Sequence, residues 1–411
     1  MRRALLPLLA LAAALALMAP AAQADFCGTL KSRLVQGGGS ASGLMVLNGE
    51  SGEVVCRKGA TRRLPLASNM KIFTTATAMG RLGSQARIAT KVLSDGEIDE
   101  DGVLHGSLYL KGAGDPALGT PSFYGRFLGG MGTNLFALRR QLRAAGVRSV
   151  TGRLYGDDTI FDRLRGVADS GYATSPYIGP LSGLSLNSGY SSSSGSSFAA
   201  DPAKVAARKL ARSLRGAGIR LAPRVALRAA PANAETLAVV RSPDIARLAD
   251  ATNVPSNNFF AEMLIKLLGA RFGGEGSTSA GAAVVERFAR EHGAEIQAVD
   301  GSGLTRSNLA SPAAVVQFLQ SLRSEEIGDD FIQSLALTGS EGTVATRMDG
   351  TPAAGRCRTK TGTLTGVSNL SGYCFNRNGK VMVFSILMAS VYDLSRAHLE
   401  QDRIAAAIAS Y

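Results

Sequence analysis

The two ends of this chain carry the same kinds of pattern, and a long middle stretch does not. From Ser42 to Cys56 apolar and polar residues alternate on either side of Asn48-Gly49-Glu50-Ser51-Gly52, which predicts a hairpin. Pro65 precedes a helical run over Ala67–Arg81, closed by Gly80 and Gly83. At the other end Arg356–Leu364, Ser368–Phe375 and Val381–Ser390 read as strands, the last two joined across Asn378-Gly379. Asp393–Tyr411 reads as an amphipathic final helix, and Phe26–Gln36 as a short first one. Residues 84–235 differ. They hold short strand-like pieces such as Val103–Lys111 and Ser149–Tyr155, one basic helix over Pro202–Arg215 and a Ser-rich loop at Tyr190–Ser197. Helix returns over Ser242–Ala251, Asn257–Leu268, Ala280–His292 and Pro312–Leu322. A domain drawn from both ends makes the middle an insertion. The expected fold class is therefore α/β and multi-domain. One domain of antiparallel sheet, flanking helices and a helical subdomain takes residues 25–84 and 236–411, and a β-rich insertion takes 85–235.

Arg2 and Arg3, the apolar stretch Leu5–Met18 and the site Ala22-Gln23-Ala24 read as a secretory signal peptide over residues 1–24. The stretch is short for a membrane span of ~20 residues. The chain is thus expected to be exported, to a periplasm or the cell exterior. Without the two arginines the formal charge falls from +13 to +11. Such an excess favours polyanions, which for an exported chain would be anionic wall polymer or membrane in peripheral contact; a plain solvated basic surface is the alternative reading. No zinc knuckle, helix-turn-helix or aromatic-basic RNA motif is present, so no nucleic-acid partner is expected. Cys27, Cys56, Cys357 and Cys374 all follow the signal, and an even count in an exported chain predicts disulfides. Three pairings are formally open.

The histidines, His105, His292 and His398, do not form a known catalytic or metal pattern. Gly-x-Ser-x-Gly, His-Glu-x-x-His and the phosphate-loop pattern are all absent, so neither a metal nor a cofactor is expected. A serine can instead be activated by a lysine. Ser68-Asn69-Met70-Lys71 places the two on one helix face, at an N-terminus where free N–H groups favour an oxyanion. Lys360-Thr361-Gly362-Thr363 sits in a predicted strand. Lys360 would supply fixed charge and Thr361 a carboxylate contact. Gly362 would give room for a ligand along the edge, and Thr363 a second oxyanion N–H. Ser256-Asn257-Asn258 opens a helix, whereas the similar Ser185-Leu186-Asn187 lies in a Gly/Ser-rich loop.

Ser-x-x-Lys, Ser-x-Asn and Lys-Thr-Gly in this order are the motif set of penicillin-binding proteins and serine β-lactamases. The 185 positions from Lys71 to Ser256 leave room for a large insertion. The chain closely resembles the D-alanyl-D-alanine carboxypeptidase/endopeptidase family, the class C low-molecular-mass penicillin-binding proteins. The resemblance extends to Leu110–Pro116, Gly156-Asp-Asp-Thr-Ile-Phe161, Asp300-Gly-Ser-Gly-Leu-Thr-Arg306 and Gly339-Ser-Glu-Gly-Thr343. It implies a penicillin-binding, serine β-lactamase-like transpeptidase domain acting on peptidoglycan stem peptides, with β-lactams as covalent inhibitors. Ser68 would be the nucleophile and Lys71 its base, with Lys360 depressing the Lys71 pKa. Ser256 would relay a proton to the leaving amine, and Asn258 would bind the substrate backbone. Lys360 and Thr361 would hold the terminal carboxylate. The N–H groups of Ser68 and Thr363 would form the oxyanion hole. Asp157, with Asp158 one step away, best matches a position that recognises the stem side chain, and Arg306 is its candidate partner. Tyr190–Ser197 replaces a stretch that is usually an apolar strand. A β-lactamase would need a placed carboxylate for deacylation, and Glu291 and Glu295 do not supply a Glu-x-x-x-Asn pattern.

The hairpin also suggests a cysteine pairing. The midpoint between Cys357 and Cys374 falls at Thr365-Gly366, where the turn belongs, so a symmetric hairpin sets the two opposite each other. Cys27 then pairs with Cys56 by elimination.

Overall fold

The computed structural model describes residues 25–411, and the expected signal peptide lies outside the described residues. The larger sheet has six strands. In spatial order they are Ala336–Leu337, Cys357–Leu364, Val367–Phe375, Val381–Ala389, Gly43–Asn48 and Val54–Lys58, and all neighbours are antiparallel. The N-terminal hairpin therefore pairs with the last strand, from Gly43 opposite Leu387 to Asn48 opposite Met382. Side chains alternate between two cores, as a period of two requires. Leu44, Val46, Met382, Phe384 and Ile386 pack with Leu30, Leu34, Ile404 and Ile408 of the helices at residues 25–38 and Leu394–Ser410. Met45, Leu47, Val383 and Leu387 face the other way, toward Phe73, Met263 and Phe288 of the helical subdomain and Phe318 of the helix Pro312–Leu322. Burial of each such side chain contributes about 1.5–3 kcal/mol.

Both disulfides form as the hairpin reading expects, Cys357 with Cys374 and Cys27 with Cys56. Cys357 and Cys374 are directly opposed in the strand register. The other bridge ties the first helix to the strand Val54–Lys58 at the sheet edge. Closing the 17-residue separation between Cys357 and Cys374 is worth about 3 kcal/mol on a chain-entropy basis.

The insertion has its own five-stranded sheet, in the order Ala226–Leu227, Leu154–Asp157, Leu108–Lys111, Arg87–Ser94 and Glu235–Asp244. Its last strand pairs with Arg87–Ser94 along most of its length. The sheet thus runs on to Asp244, past the boundary expected at 235. Val103–Lys111 and Ser149–Tyr155 are each two short strands rather than one, because the chain bends between Leu104 and Leu108 and between Val150 and Leu154. Beside Pro202–Gly216 the insertion has two further helices, Pro121–Phe127 and Ala137–Ala144. Residues 191–197 contain no strand; the flanking Tyr190 and Phe198 form an isolated bridge and stack at 4.5 Å.

The helical subdomain consists of Met70–Leu82, Ile245–Asn253, Asn258–Phe272 and Thr278–Glu291. It lies between the sheet and the insertion and supplies two of the three motif segments. Among the described residues no helix is long and apolar enough to cross a membrane.

Candidate active site

Pro65 ends a short strand, and the chain turns through Ala67–Asn69 into the helix Met70–Leu82. Ala67 takes φ 45°, a conformation that costs an L-residue energy and marks a constrained turn. Ser68 is thereby held just ahead of the helix, where backbone N–H groups lack helical acceptors. One turn on, Lys71 is completely buried. Its Nζ lies 3.0 Å from Ser68 Oγ, 2.8 Å from Asn258 Oδ1 and 2.6 Å from the Ser302 carbonyl. Burial lowers its pKa to about 7, against the opposing charges of Asp300 and Glu262. A neutral amine has two N–H groups and one lone pair. Asn258 Oδ1 and the Ser302 carbonyl can only accept, so they take both N–H groups and leave the lone pair for the Ser68 hydroxyl.

Lys360, on the strand Cys357–Leu364, is also completely buried. Its Nζ lies 3.0 Å from Ser256 Oγ and 3.0 Å from the Thr361 carbonyl. Burial first, and then repulsion from Lys71, holds its pKa well below the ordinary lysine value. The expected cause is therefore corrected. Removal from water, not Lys360, is the main reason that Lys71 can lose its proton. Ser256 has φ 60° and precedes the helix whose N-cap is Asn257, so Ser256 is not itself the cap. Asn258 is the first residue of that helix. Its side chain bridges Lys71 and, through Nδ2, the Tyr177 carbonyl of the insertion at 3.1 Å.

Gly362 is required for a different reason from the one expected. A Cβ there would lie 2.9 Å from the Leu66 carbonyl and 3.1 Å from the backbone nitrogens of Ser68 and Asn69. The strand packs directly on the nucleophile turn, and the missing side chain makes room for protein, not for ligand. Asn69 fastens the same contact. Its Nδ2 donates to the Lys360 carbonyl at 2.9 Å, and its Oδ1 accepts from Ser371 Oγ at 2.7 Å.

The strand Ala336–Leu337 covers only Arg358 and Thr359, so the edge from Lys360 onward is free. The Arg356 carbonyl accepts from Phe375 on the paired side, and the Cys357 carbonyl from Thr338 on the other. Alternation then turns the backbone groups of Thr361 and Thr363 to the free edge. Thr361 Oγ1 lies 2.7 Å from Thr343 Oγ1.

Sequence reading missed the acids beneath Lys71. Glu262 lies one turn after Asn258 on the same helix face and is completely buried. Its Oε1 accepts from the backbone of Gly301 at 3.1 Å and Ser302 at 2.7 Å. Asp300, also buried, accepts from Gly303, Thr305 and the Asn308 side chain. Burial raises both carboxyl pKa values, that of Glu262 to about 8. Together they shape the loop whose Ser302 carbonyl faces Lys71. Gly303 closes that loop at φ 85°, where a Cβ would collide with the Ala67 carbonyl. The available signal was one acid in the apolar run Asn258–Gly269.

Residues 28–200 and 190–410 match the family described as D-Ala-D-Ala carboxypeptidase 3 (S13). The chain belongs to this family. It is 31% identical to a D-alanyl-D-alanine carboxypeptidase of Actinomadura sp., over 85% of this chain and 78% of that one. Penicillin-binding protein 4 of Haemophilus influenzae shares its fold, with a TM-score of 0.76, 21% identity and coverage of 92% of this chain and 99% of that one. A penicillin G-acylated predatory endopeptidase of Bdellovibrio bacteriovorus also shares it, with a TM-score of 0.54, 19% identity and coverage of 88% and 90%.

Two of the expected substrate contacts stand apart from this cluster. Asp157 is buried and its carboxylate bonds inside the insertion. It accepts from Thr159 N at 3.0 Å, Thr159 Oγ1 at 2.6 Å and Ala230 N at 2.9 Å. Lys111 Nζ stands 4.0 Å from the Oδ2 that accepts from Ala230, so the bonds of this carboxylate serve the turn and sheet of the insertion rather than the cluster around Ser68. Asp157→Ala is expected to lower stability by about 2 kcal/mol or more, because it strands buried donors. Penicillin acylation and peptide turnover per folded molecule should stay equal to wild type. Denaturant unfolding and active-site titration check this, and a loss confined to peptide turnover would restore the substrate role. Arg306 is exposed and donates to the Thr365 carbonyl at the hairpin turn, beyond Thr363. Glu291 pairs with Arg81 on the surface.

Proposed function

We propose that the chain is a serine-type D-alanyl-D-alanine carboxypeptidase/endopeptidase that cleaves peptidoglycan stem peptides through an acyl-enzyme on Ser68, and that penicillins acylate the same oxygen. The observation that carries this is the buried Lys71, with two acceptors for its N–H groups and the Ser68 hydroxyl at the remaining position. The Ser68 proton passes to Lys71 as Oγ attacks the carbonyl of the penultimate D-Ala. Negative charge builds on the carbonyl oxygen, opposite the backbone N–H groups of Ser68 and Thr363. The leaving amine takes a proton through Ser256, which Lys360 contacts. Lys360 and Thr361 receive the terminal carboxylate, and its arrival favours the charged form of Lys360. Asn258 orients Lys71 and offers its amide to the substrate backbone. Water then cleaves the ester, releasing the shortened peptide and Ser68. Arg306, at the end of the free edge, is assigned to the part of the stem peptide that extends past the turn.

Two disulfides fit an oxidising compartment. With the signal-like segment at residues 1–24 they support export to a periplasm or the cell exterior.

The pH dependence tests the assignment of the base. Only neutral Lys71 can accept the Ser68 proton, so the second-order rate of penicillin acylation should rise with pH and level off above about 7. Stopped-flow acylation across a pH series measures it. A rate flat through that region would remove Lys71 from the role. A fluorescent penicillin labels the wild-type protein if the reading holds, and the lifetime of the adduct separates a peptidase from a β-lactamase.

A further inference from the structure

Two helices of the insertion form an arginine-rich face that the chemistry at Ser68 does not use. Ala137–Ala144 and Pro202–Gly216 lie side by side over the insertion's sheet. Leu138, Leu142, Ala203, Ala206, Leu210 and Leu214 share one core with Val92 and Leu110 beneath them. Burying those positions turns the opposite faces outward. Arg139, Arg140 and Arg143 stand exposed on the shorter helix, and Arg208, Arg212 and Arg215 on the longer one, at i, i+4 and i+7. Lys204 and Lys209 flank them half-buried. Neither helix contains an Asp or Glu. Among the described residues none of these eight cations forms an ion pair. Carboxylates approach only at the ends: Asp201 caps the longer helix and accepts from Lys204 N, and Asp99 and Glu100 line a hollow together with Arg143 and Arg148.

We infer that this two-helix face docks the protein on an anionic lipid bilayer through the lipid phosphates. Charge complementarity is the first ground, since unpaired arginines at helical spacing repel each other until an anionic surface meets them. The shape of the face is the second. Two adjacent helices, the longer about 22 Å from end to end, present their outer rows as a broad face that suits a membrane surface, whereas a single polymer strand is better held in a groove. The third ground is the lack of large exposed apolar side chains on either helix. The contact is therefore electrostatic and reversible, without insertion into the acyl region.

Co-sedimentation of the exported protein with vesicles tests the inference. One set is phosphatidylcholine alone and the other an equal mixture with phosphatidylglycerol. The protein should pellet with the mixed vesicles only and be released by added salt. A variant with Arg139, Arg140, Arg208, Arg212 and Arg215 each changed to Gln should lose partition by about 10³-fold or more while keeping wild-type penicillin labelling, which reports an intact fold. A control variant removes the same charge elsewhere, with Arg57, Arg62, Arg63, Arg356 and Arg377, all exposed, changed to Gln. It should retain most of the binding. Equal loss in both variants would reduce the effect to net charge and overturn the inference. So would binding to neutral vesicles, or binding to a soluble phosphate polymer with none to vesicles.

Discussion

Ser68→Ala is expected to abolish covalent labelling by penicillin and to cut peptide turnover by more than about 10⁴-fold, with the fold intact. The hydroxyl contacts Lys71 and is not needed to hold the turn. Asn69 does that through Lys360 and Ser371, and Asn369 Nδ2 adds bonds to the carbonyls of Pro65 and Leu66. Unfolding midpoints of the variant and the wild type should therefore agree. Intact-mass and peptide mapping of the wild-type adduct provide the complementary measurement. An adduct on Ser256 would exchange the roles of the two serines, since Ser256 has its own lysine at 3.0 Å.

The second large effect is expected from a residue with no chemistry of its own. Gly362→Val should slow acylation by roughly 10²-fold or more, because an ångström-scale displacement of a positioned nucleophile costs that much. The added Cβ alone would sit 2.9 Å from the Leu66 carbonyl and 3.1 Å from Ser68 N. The turn or the strand must give way, and either shift separates Ser68 from the Thr363 N–H. Thr361→Val, whose Cβ changes nothing in the packing, serves as the comparison and should affect KM through the carboxylate contact. Wild-type acylation kinetics in Gly362→Val would show that the strand does not press on the turn.

The sequence carried the chemistry further than the architecture. Ser68, Lys71, Ser256, Asn258 and Lys360 were legible because each motif needs fixed residue types at fixed spacing, and the structure brings all five together. The Cys357–Cys374 register was legible because antiparallel symmetry about Thr365-Gly366 determines it. Glu262 escaped because nothing local marks an acid as buried; only tertiary packing places it against the Ser302 loop. Asp300 stood in a quoted run, but its burial beneath Lys71 is equally a product of packing. Gly362 was found for the wrong reason, since its neighbour across the contact is nearly three hundred positions away in sequence. Asp157 was ambiguous in the sequence because a turn aspartate and a binding aspartate look alike until their acceptor bonds are seen. The helices Pro121–Phe127 and Gly328–Gln333 were missed because elements this short show too little of a helical period.

The pairing of the first hairpin with the last strand sets the order in which this protein can become active. The ribosome delivers Ser68 and Lys71 early, yet Lys360, Gly362 and the strand Val381–Ala389 that holds Gly43–Asn48 arrive near the end of synthesis. Until then the serine has its base but no wall behind it, and the insertion's sheet, closed by Asp244, can assemble without the rest. Closure of the larger sheet is then a long-range event, slow for the entropic reasons that govern high contact order. The incomplete chain is consequently expected to be inert toward both substrate and drug, with reactivity appearing once the C-terminal strands have docked.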